Sequence, residues 1–313
     1  MEDVHVPVLL EECLRLLAPE GGQGLLLDCT LGEGGHSRAF MERFPSLRVI
    51  GLDADPDAQA RARERLAGFG ERIEFVNEYF DEYLGEARAE GERPDIVLMD
   101  LGISMFHYEL SGRGFSFKRD EPLDMRLDAR AGRSAADLVA ESREEELADI
   151  IFRYGEERYS RRIARAIVKA RSAGRIGTAK ALAEIVWGAV PPEARRGRNH
   201  PATRSFQALR IAVNDELGRL DRALSGAAKA VKVGGKVGVI TFHSLEDGLA
   251  KRRFRELSRA CTCPPEQAIC SCGGKPAFEA LVRKPIEAGE AEVEANPPSR
   301  SAKLRAVRKL REA

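Results

Sequence analysis

The segment DCTLGEGGH (28–36) follows a short apolar run and opens a helical one. Ligands of open α/β sheets sit at the carboxyl ends of strands, so this loop is the expected cofactor position. Gly32, Gly34 and Gly35 let the backbone approach a ligand closely. Asp53 ends the next apolar run, 19 residues beyond Gly34. A carboxylate there can accept both hydroxyls of an adenosine ribose, a feature shared by NAD-binding and S-adenosylmethionine-binding sheets. The dinucleotide fingerprint wants Gly or Ala where Ser37 stands. Asp100 ends a further run and leads into LGISMFHYEL, which carries Ser104 and His107. His243 and Ser244, in TFHSLED, end another and are expected beside Asp100. Neighbours on one extended segment do not readily share a hydrogen bond, and no G-x-S-x-G elbow is present, which argues against a Ser–His–Asp hydrolase.

A second group of residues has the chemistry of nucleic-acid contacts. In RGFSF (113–117), Phe115 and Phe117 beside Arg113, Lys118 and Arg119 read as a base-stacking platform with phosphate contacts, or else as a staple pinning an insertion. Arg158, Arg161, Arg165 and Lys169 fall at i, i+3, i+7 and i+11, one stripe of an amphipathic helix. Arg195, Arg196, Arg198 and Arg204 follow in the same region. Such cations supply RNA affinity without sequence preference. Cys261, Cys263, Cys270 and Cys272 form C-x-C, six residues, C-x-C. Four thiolates can close a tetrahedral zinc site, although C-x-C is a weaker signal than C-x-x-C. Cys13 and Cys29 read as small core residues.

These groups need elements to hold them. Continuous apolar runs at 24–30, 47–55, 72–80 and 94–102 alternate with helical stretches, the pattern of parallel strands buried on both faces. Helical periods near 134–152, 156–172, 178–189 and 202–226 then form an insertion. A fifth strand follows within 227–244, and 278–286 and 303–310 read as the last two. The expected fold is α/β, a doubly wound, mostly parallel seven-stranded sheet. One domain comprises 1–110 and 216–313, and 111–215 is the insertion.

The 313 residues are 43% hydrophobic and 32% charged, which excludes a wholly disordered chain. Formal charge is zero, but residues 153–175 carry a net +6, 300–311 a net +6 and 287–294 a net −4, compatible with a basic face for nucleic acid. No apolar stretch reaches a membrane span, and MEDVHVPVLLEEC is too acidic for a signal peptide. A reducing, cytoplasmic setting without disulfides is expected.

Together DCTLGEGGHS, LDADPDA, DLGIS, GRGFSFKRDEPLDMR, YGEERYSRRIARAI, HPATRSFQALRIAVNDEL, TFHSLED and NPPSRSAKLRAVRK resemble one family, in its order, from about residue 5 to 310. It is the bacterial small-subunit ribosomal RNA cytosine-N4 methyltransferases, the RsmH or MraW family. The resemblance implies a class I, Rossmann-like methyltransferase with a helical insertion, S-adenosylmethionine as donor, and a cytidine in the decoding region of 16S rRNA, in the small ribosomal subunit, as acceptor. The family's cofactor contacts fall on Gly34, Gly35, His36, Asp53, Phe80 and Asp100, and a further one, usually Gln, on His107. Met105, Phe106 and His107 depart from the family's pattern. Asp100 is the best-placed acceptor for the amine's N–H groups, with Ser104 and His243 behind it. The insertion is expected to bind RNA through Arg113, Phe115, Phe117, Arg161, Arg165 and Lys169. The family gives no support for a required metal. An NAD-dependent oxidoreductase and a non-catalytic RNA-binding assembly factor are the rival readings.

Overall fold

The structure, a computed structural model, describes residues 6–85, 92–128, 132–197, 200–261, 263, 267, 269 and 274–312. The chain divides into two compact units, Met1–Gly102 with Leu217–Ala313, and Ile103–Glu216. In the first, α1 (Leu10–Leu16), β1 (Gln23–Asp28), α2 (Gly35–Arg43), β2 (Ser46–Leu52), α3 (Pro56–Arg65), β3 (Ile73–Val76), α4 (Phe80–Gly85) and β4 (Ile96–Asp100) follow in order. The second contains α5 (Met105–Glu109), α6 (Ala135–Glu141), α7 (Glu144–Gly155), α8 (Ser160–Arg171), α9 (Ala179–Ala189) and α10 (Ala202–Asn214). The first resumes along α11 (Glu216–Ala230), β5 (Lys236–Thr241), α12 (Ser244–Leu257), β6 (Phe278–Ala280), β7 (Ile286–Glu287), α13 (Glu290–Ala295) and β8 (Lys303–Lys309).

The sheet runs β3-β2-β1-β4-β5-β8-β6, with β7 also pairing β8. The five strands from β3 to β5 are parallel, and β8 is antiparallel to β5, β6 and β7. Successive residues feed opposite faces, as a pleated strand requires. Leu26, Ile96 and Leu98 enter one apolar cluster with Phe40 and Leu47, whereas Leu27, Val97 and Met99 enter the other with Leu224 and Val231. Strand order reverses between β1 and β4, so Asp28 and Asp100 end the two strands at the switch point, where such sheets bind ligands.

Three elements differ from the sequence reading. The 278–286 segment is two short strands flanking Pro285, which has no N–H to give to a ladder. The 72–80 strand stops at Val76, because the Asn77 side chain donates to the Asp53 carbonyl and Phe80 opens a helix. The 202–226 helix breaks at Asp215, which takes the left-handed conformation at φ 49°.

In the second unit, Ile163, Ala164 and Ile167 of α8 are buried while Arg161, Arg165 and Lys169 are exposed, as the stripe predicts. A Cβ on Gly114 (φ 71°) would lie 2.2 Å from the Pro122 carbonyl oxygen, so RGFSF and PLDMR are a tight backbone crossing. A Cβ on Gly155 would lie 2.5 Å from the Arg204 carbonyl oxygen, and this close approach of α7 to α10 ties YGEE to HPATR. Among the described residues no helix is long and apolar enough to cross a membrane.

Candidate active site

The loop after β1 is held from below by carboxylates. Asp53 Oδ2 accepts the Gly32 N–H at 2.8 Å, and its Oδ1 accepts the Asp55 N–H at 2.8 Å. Asp55, buried, caps α3 by accepting from the Asp57 N–H at 3.0 Å. Gly34 takes φ 80° at the start of α2, and a Cβ on Gly35 would lie 2.5 Å from Pro7 Cγ. A Cβ on Gly34 would lie 2.5 Å from Leu66 Cδ1, so the backbone turns tightly above the strand ends with Pro7 and Leu66 packed close against its two glycines.

Two further carboxylates stand at the switch point. Asp28 is buried, accepting from Ser37 Oγ at 2.6 Å and from the Thr30 N–H at 3.2 Å. Burial pushes its carboxyl up to about 6 against the pull of those two donors. Asp100 is fixed by its own N–H, which donates to Thr30 Oγ1 at 2.7 Å. Its Oδ1 is buried without a hydrogen-bond partner among the described residues, although about 24% of the side chain remains exposed. Burial first, then the negative charges of Asp28 and Glu246, hold the Asp100 carboxyl well above the usual carboxylate range.

His36 links this pair to the N-terminal segment. Its Nε2 lies 3.1 Å from the Val8 carbonyl, which can only accept, so Nε2 carries a proton. Nδ1 then faces Asp100 Oδ2 at 3.6 Å, a contact that is favourable when the carboxyl or the ring holds one more proton. Val8 is itself clamped. Leu9 is fully buried at φ 53°, a left-handed conformation that costs a leucine roughly 1–2 kcal/mol, and its N–H donates to Glu292 Oε1 at 2.7 Å. Asn296 Nδ2 donates to the Val6 carbonyl at 2.9 Å. Glu292→Ala should therefore lower the melting temperature by roughly 5 °C and weaken cofactor binding with it. Glu292→Gln keeps the acceptor oxygen and should restore both; an Ala variant that melts and binds like wild type removes the clamp.

Not every predicted site residue is where the chemistry would want it. Phe80 is half-buried at the start of α4, against the cluster containing Leu84 and Leu224. His243 caps α12: its Nδ1 accepts from the Glu246 N–H at 3.4 Å and its Nε2 lies 3.0 Å from Glu246 Oε1. Ser244 is exposed. In the second unit, Ser104 Oγ and His107 Nδ1 lie 2.9 Å apart, and the buried His107 ring meets Phe115 edge-on at 5.3 Å.

Two of the RNA contacts are corrected. Phe115, 5% exposed, belongs to the core of the helical unit and offers no face to a base. Arg113 turns inward, donating to the Leu127 carbonyl at 2.8 Å. Phe117 is half-buried between His200 and Phe206. Cys270 and Cys272 of the cysteine cluster lie outside the described residues, as does Arg198. Asp28 is the site residue that the sequence reading passed over. Its signal was the one used for Asp53 and Asp100, a carboxylate closing an apolar run. A cavity of about 410 Å³ lies toward the opposite, amino ends of the strands, lined by Leu25, Val49, Tyr83 and Arg93, away from all these groups.

The sequence matches the MraW methylase family over residues 2–310. It is 54% identical to the ribosomal RNA small subunit methyltransferase H of Treponema denticola, the match covering 99% of this chain and 98% of that protein. Its identity to the protein of the same name from Symbiobacterium thermophilum is 49%, covering 98% of this chain and 96% of the relative. The corresponding protein of Geobacter sp. is 48% identical, covering 99% and 100%. With a family match across nearly its whole length and about half its residues shared with these relatives, the chain belongs to the MraW methylase family.

Proposed function

We propose that this chain, an S-adenosylmethionine-dependent methyltransferase, methylates the N4 amine of a cytidine in the decoding region of 16S rRNA, with the small ribosomal subunit as its partner. In this reading residues 1–110 and 216–313 hold the cofactor, and 111–215 hold the RNA. The observation that carries it is Asp100, a carboxylate at the switch point with one oxygen buried and without a partner among the described residues, beside His36 and a glycine loop tied down by Asp53. This set fits a nucleoside with a cationic centre. The Asp53 carboxylate has the chemistry to accept ribose hydroxyls, the loop after β1 turns tightly above the strand ends, and the Asp28 and Asp100 carboxylates favour positive charge.

S-adenosylmethionine, when bound, supplies an electrophilic methyl on a sulfonium. The cytosine amine is a weak nucleophile because its lone pair is delocalised into the ring. Asp100 accepts its N–H and favours sp³ character as the C–N bond forms; a carboxylate with a raised pKa is the better acceptor for the departing proton. Alignment of donor and amine supplies up to roughly 7–11 kcal/mol of the barrier reduction. Ser37, which stands where a dinucleotide site wants Gly or Ala, is committed to Asp28, a point against the NAD reading.

The deciding experiment is transfer of label from S-adenosylmethionine into small-subunit RNA, followed by mass spectrometry of its nucleosides. N4-methylcytidine at one position is expected, and NADH turnover is not. The exposed stripe gives a separate prediction. Neutralising Arg161, Arg165 and Lys169 together removes up to three phosphate contacts, so the slope of log K against log salt should flatten by about 2 for single-stranded RNA. Cofactor affinity should not change. A triple variant with the wild-type Michaelis constant for RNA makes the stripe a solvated face.

A further inference from the structure

With Phe115 buried, the stacking surface of the helical unit has to be sought elsewhere, and an aromatic column supplies one. Trp187, near the end of α9, is 40% exposed. Its ring stacks on His200 at 5.2 Å between centroids, with 27° between planes. His200 in turn lies 4.6 Å from Phe117 at 30°, and Phe117 meets Phe206 edge-on at 5.1 Å. The Arg195 guanidinium carbon is 5.7 Å from the Trp187 ring centroid, held by hydrogen bonds to the Gly188 and Val190 carbonyls.

We propose that the exposed Trp187 ring, backed by His200, with Arg195 beside it and Arg196 next in the chain, is a docking platform for an unpaired base of the RNA substrate. The inference rests on the reading of the chain as an RNA methyltransferase and adds a contact to it. Three features favour a base over an apolar peptide. The rings are nearly parallel and locked by their neighbours, so a flat, π-faced ligand stacks with little further loss of conformational freedom. Burial pushes the His200 imidazole below its usual range, and its Nδ1 accepts the Ala202 N–H at 3.1 Å, so at pH 7 it is a neutral ring. The adjoining 195–204 segment has four arginines and no acid, which suits the phosphates on either side of a stacked base. The exposed acids nearest in sequence, Glu184 and Glu193, lie outside that segment.

The chain has one tryptophan, so its intrinsic fluorescence reports this residue alone. Titrating the whole protein with a ten-nucleotide oligouridylate or oligoadenylate should give saturable, salt-sensitive quenching. Trp187→Ala should weaken binding of the same oligomers roughly 5- to 100-fold, without changing S-adenosylhomocysteine affinity or the melting curve. Trp187→Phe should recover most of the affinity, because it restores a ring. Saturable binding without quenching, or an Ala variant binding as tightly as wild type, overturns the platform. So does quenching by intact small subunits that neither deproteinised 16S rRNA nor the oligomers reproduce, which points to a protein partner instead. If the Ala variant methylates RNA with the wild-type Michaelis constant, the platform fails and the proposed function stands. If the wild type labels no RNA, the function itself fails.

Discussion

Replacing Asp53 with alanine is expected to lower S-adenosylhomocysteine affinity by roughly 10²- to 10⁴-fold, measured calorimetrically. An ionised carboxylate offers about four lone-pair sites. Two of those on Asp53 are used by the Gly32 and Asp55 N–H groups, one on each oxygen. The two oxygens of one carboxylate match the two hydroxyls of a vicinal diol, and hydrogen bonds to a charged group contribute roughly 1.5–3 kcal/mol each. The geometry adds a consequence that a plain strand-end carboxylate does not have. The same side chain ties the loop after β1 to the loop after β2, so the variant should also melt lower without ligand. Asp53→Asn keeps one acceptor oxygen and should fall between the two. Unchanged affinity in the Ala variant refutes the ribose assignment.

The sheet was legible because both faces of its strands are buried, and a run such as LLLD has no other economical home than the middle of an α/β sheet. The glycine loop and two of the strand-end carboxylates, Asp53 and Asp100, were legible because each follows an apolar run, and Asp28 carries the same mark. What the sequence left open is what depends on contacts far along the chain. Leu9 and Glu292 are 283 residues apart, and neither residue type announces the clamp. RGFSF carried an aromatic–cation pattern that fits a stacking platform and a core crossing equally well. Only the burial of Phe115 and the inward turn of Arg113 separate the two. Trp187 and His200 went unnoticed because they are on different elements, with no shared spacing to connect them. Asp215 ends a helix without Gly or Pro, so the break in 202–226 had no local signal.

Asp28→Asn should make the unliganded protein more stable at pH 8, with the gain lost and slightly reversed on acidification. Burial raises the native Asp28 carboxyl from 3.8 to about 6. The native state therefore holds this proton more tightly than the unfolded chain does, and stability falls as pH rises through the interval between those values. Below about 4 both states are protonated and there is no penalty. Above about 6 the whole penalty is present, on the order of 3 kcal/mol for a shift of about two units. Asparagine carries no charge to desolvate, but its single amide oxygen cannot serve both Ser37 Oγ and the Thr30 N–H, a loss of about 1 kcal/mol. The net gain at pH 8 is then about 2 kcal/mol, roughly 5 °C in melting temperature. The variant should bind S-adenosylmethionine, which carries a sulfonium cation, less well than wild type, and its loss of affinity for S-adenosylhomocysteine, which lacks that charge, should be smaller. A functional carboxylate kept at a cost in stability has this signature. Melting curves of both proteins from pH 4 to 8 decide it: an Asn variant less stable than wild type at pH 8, or a difference that does not change with pH, shows that burial of the Asp28 charge carries no such cost.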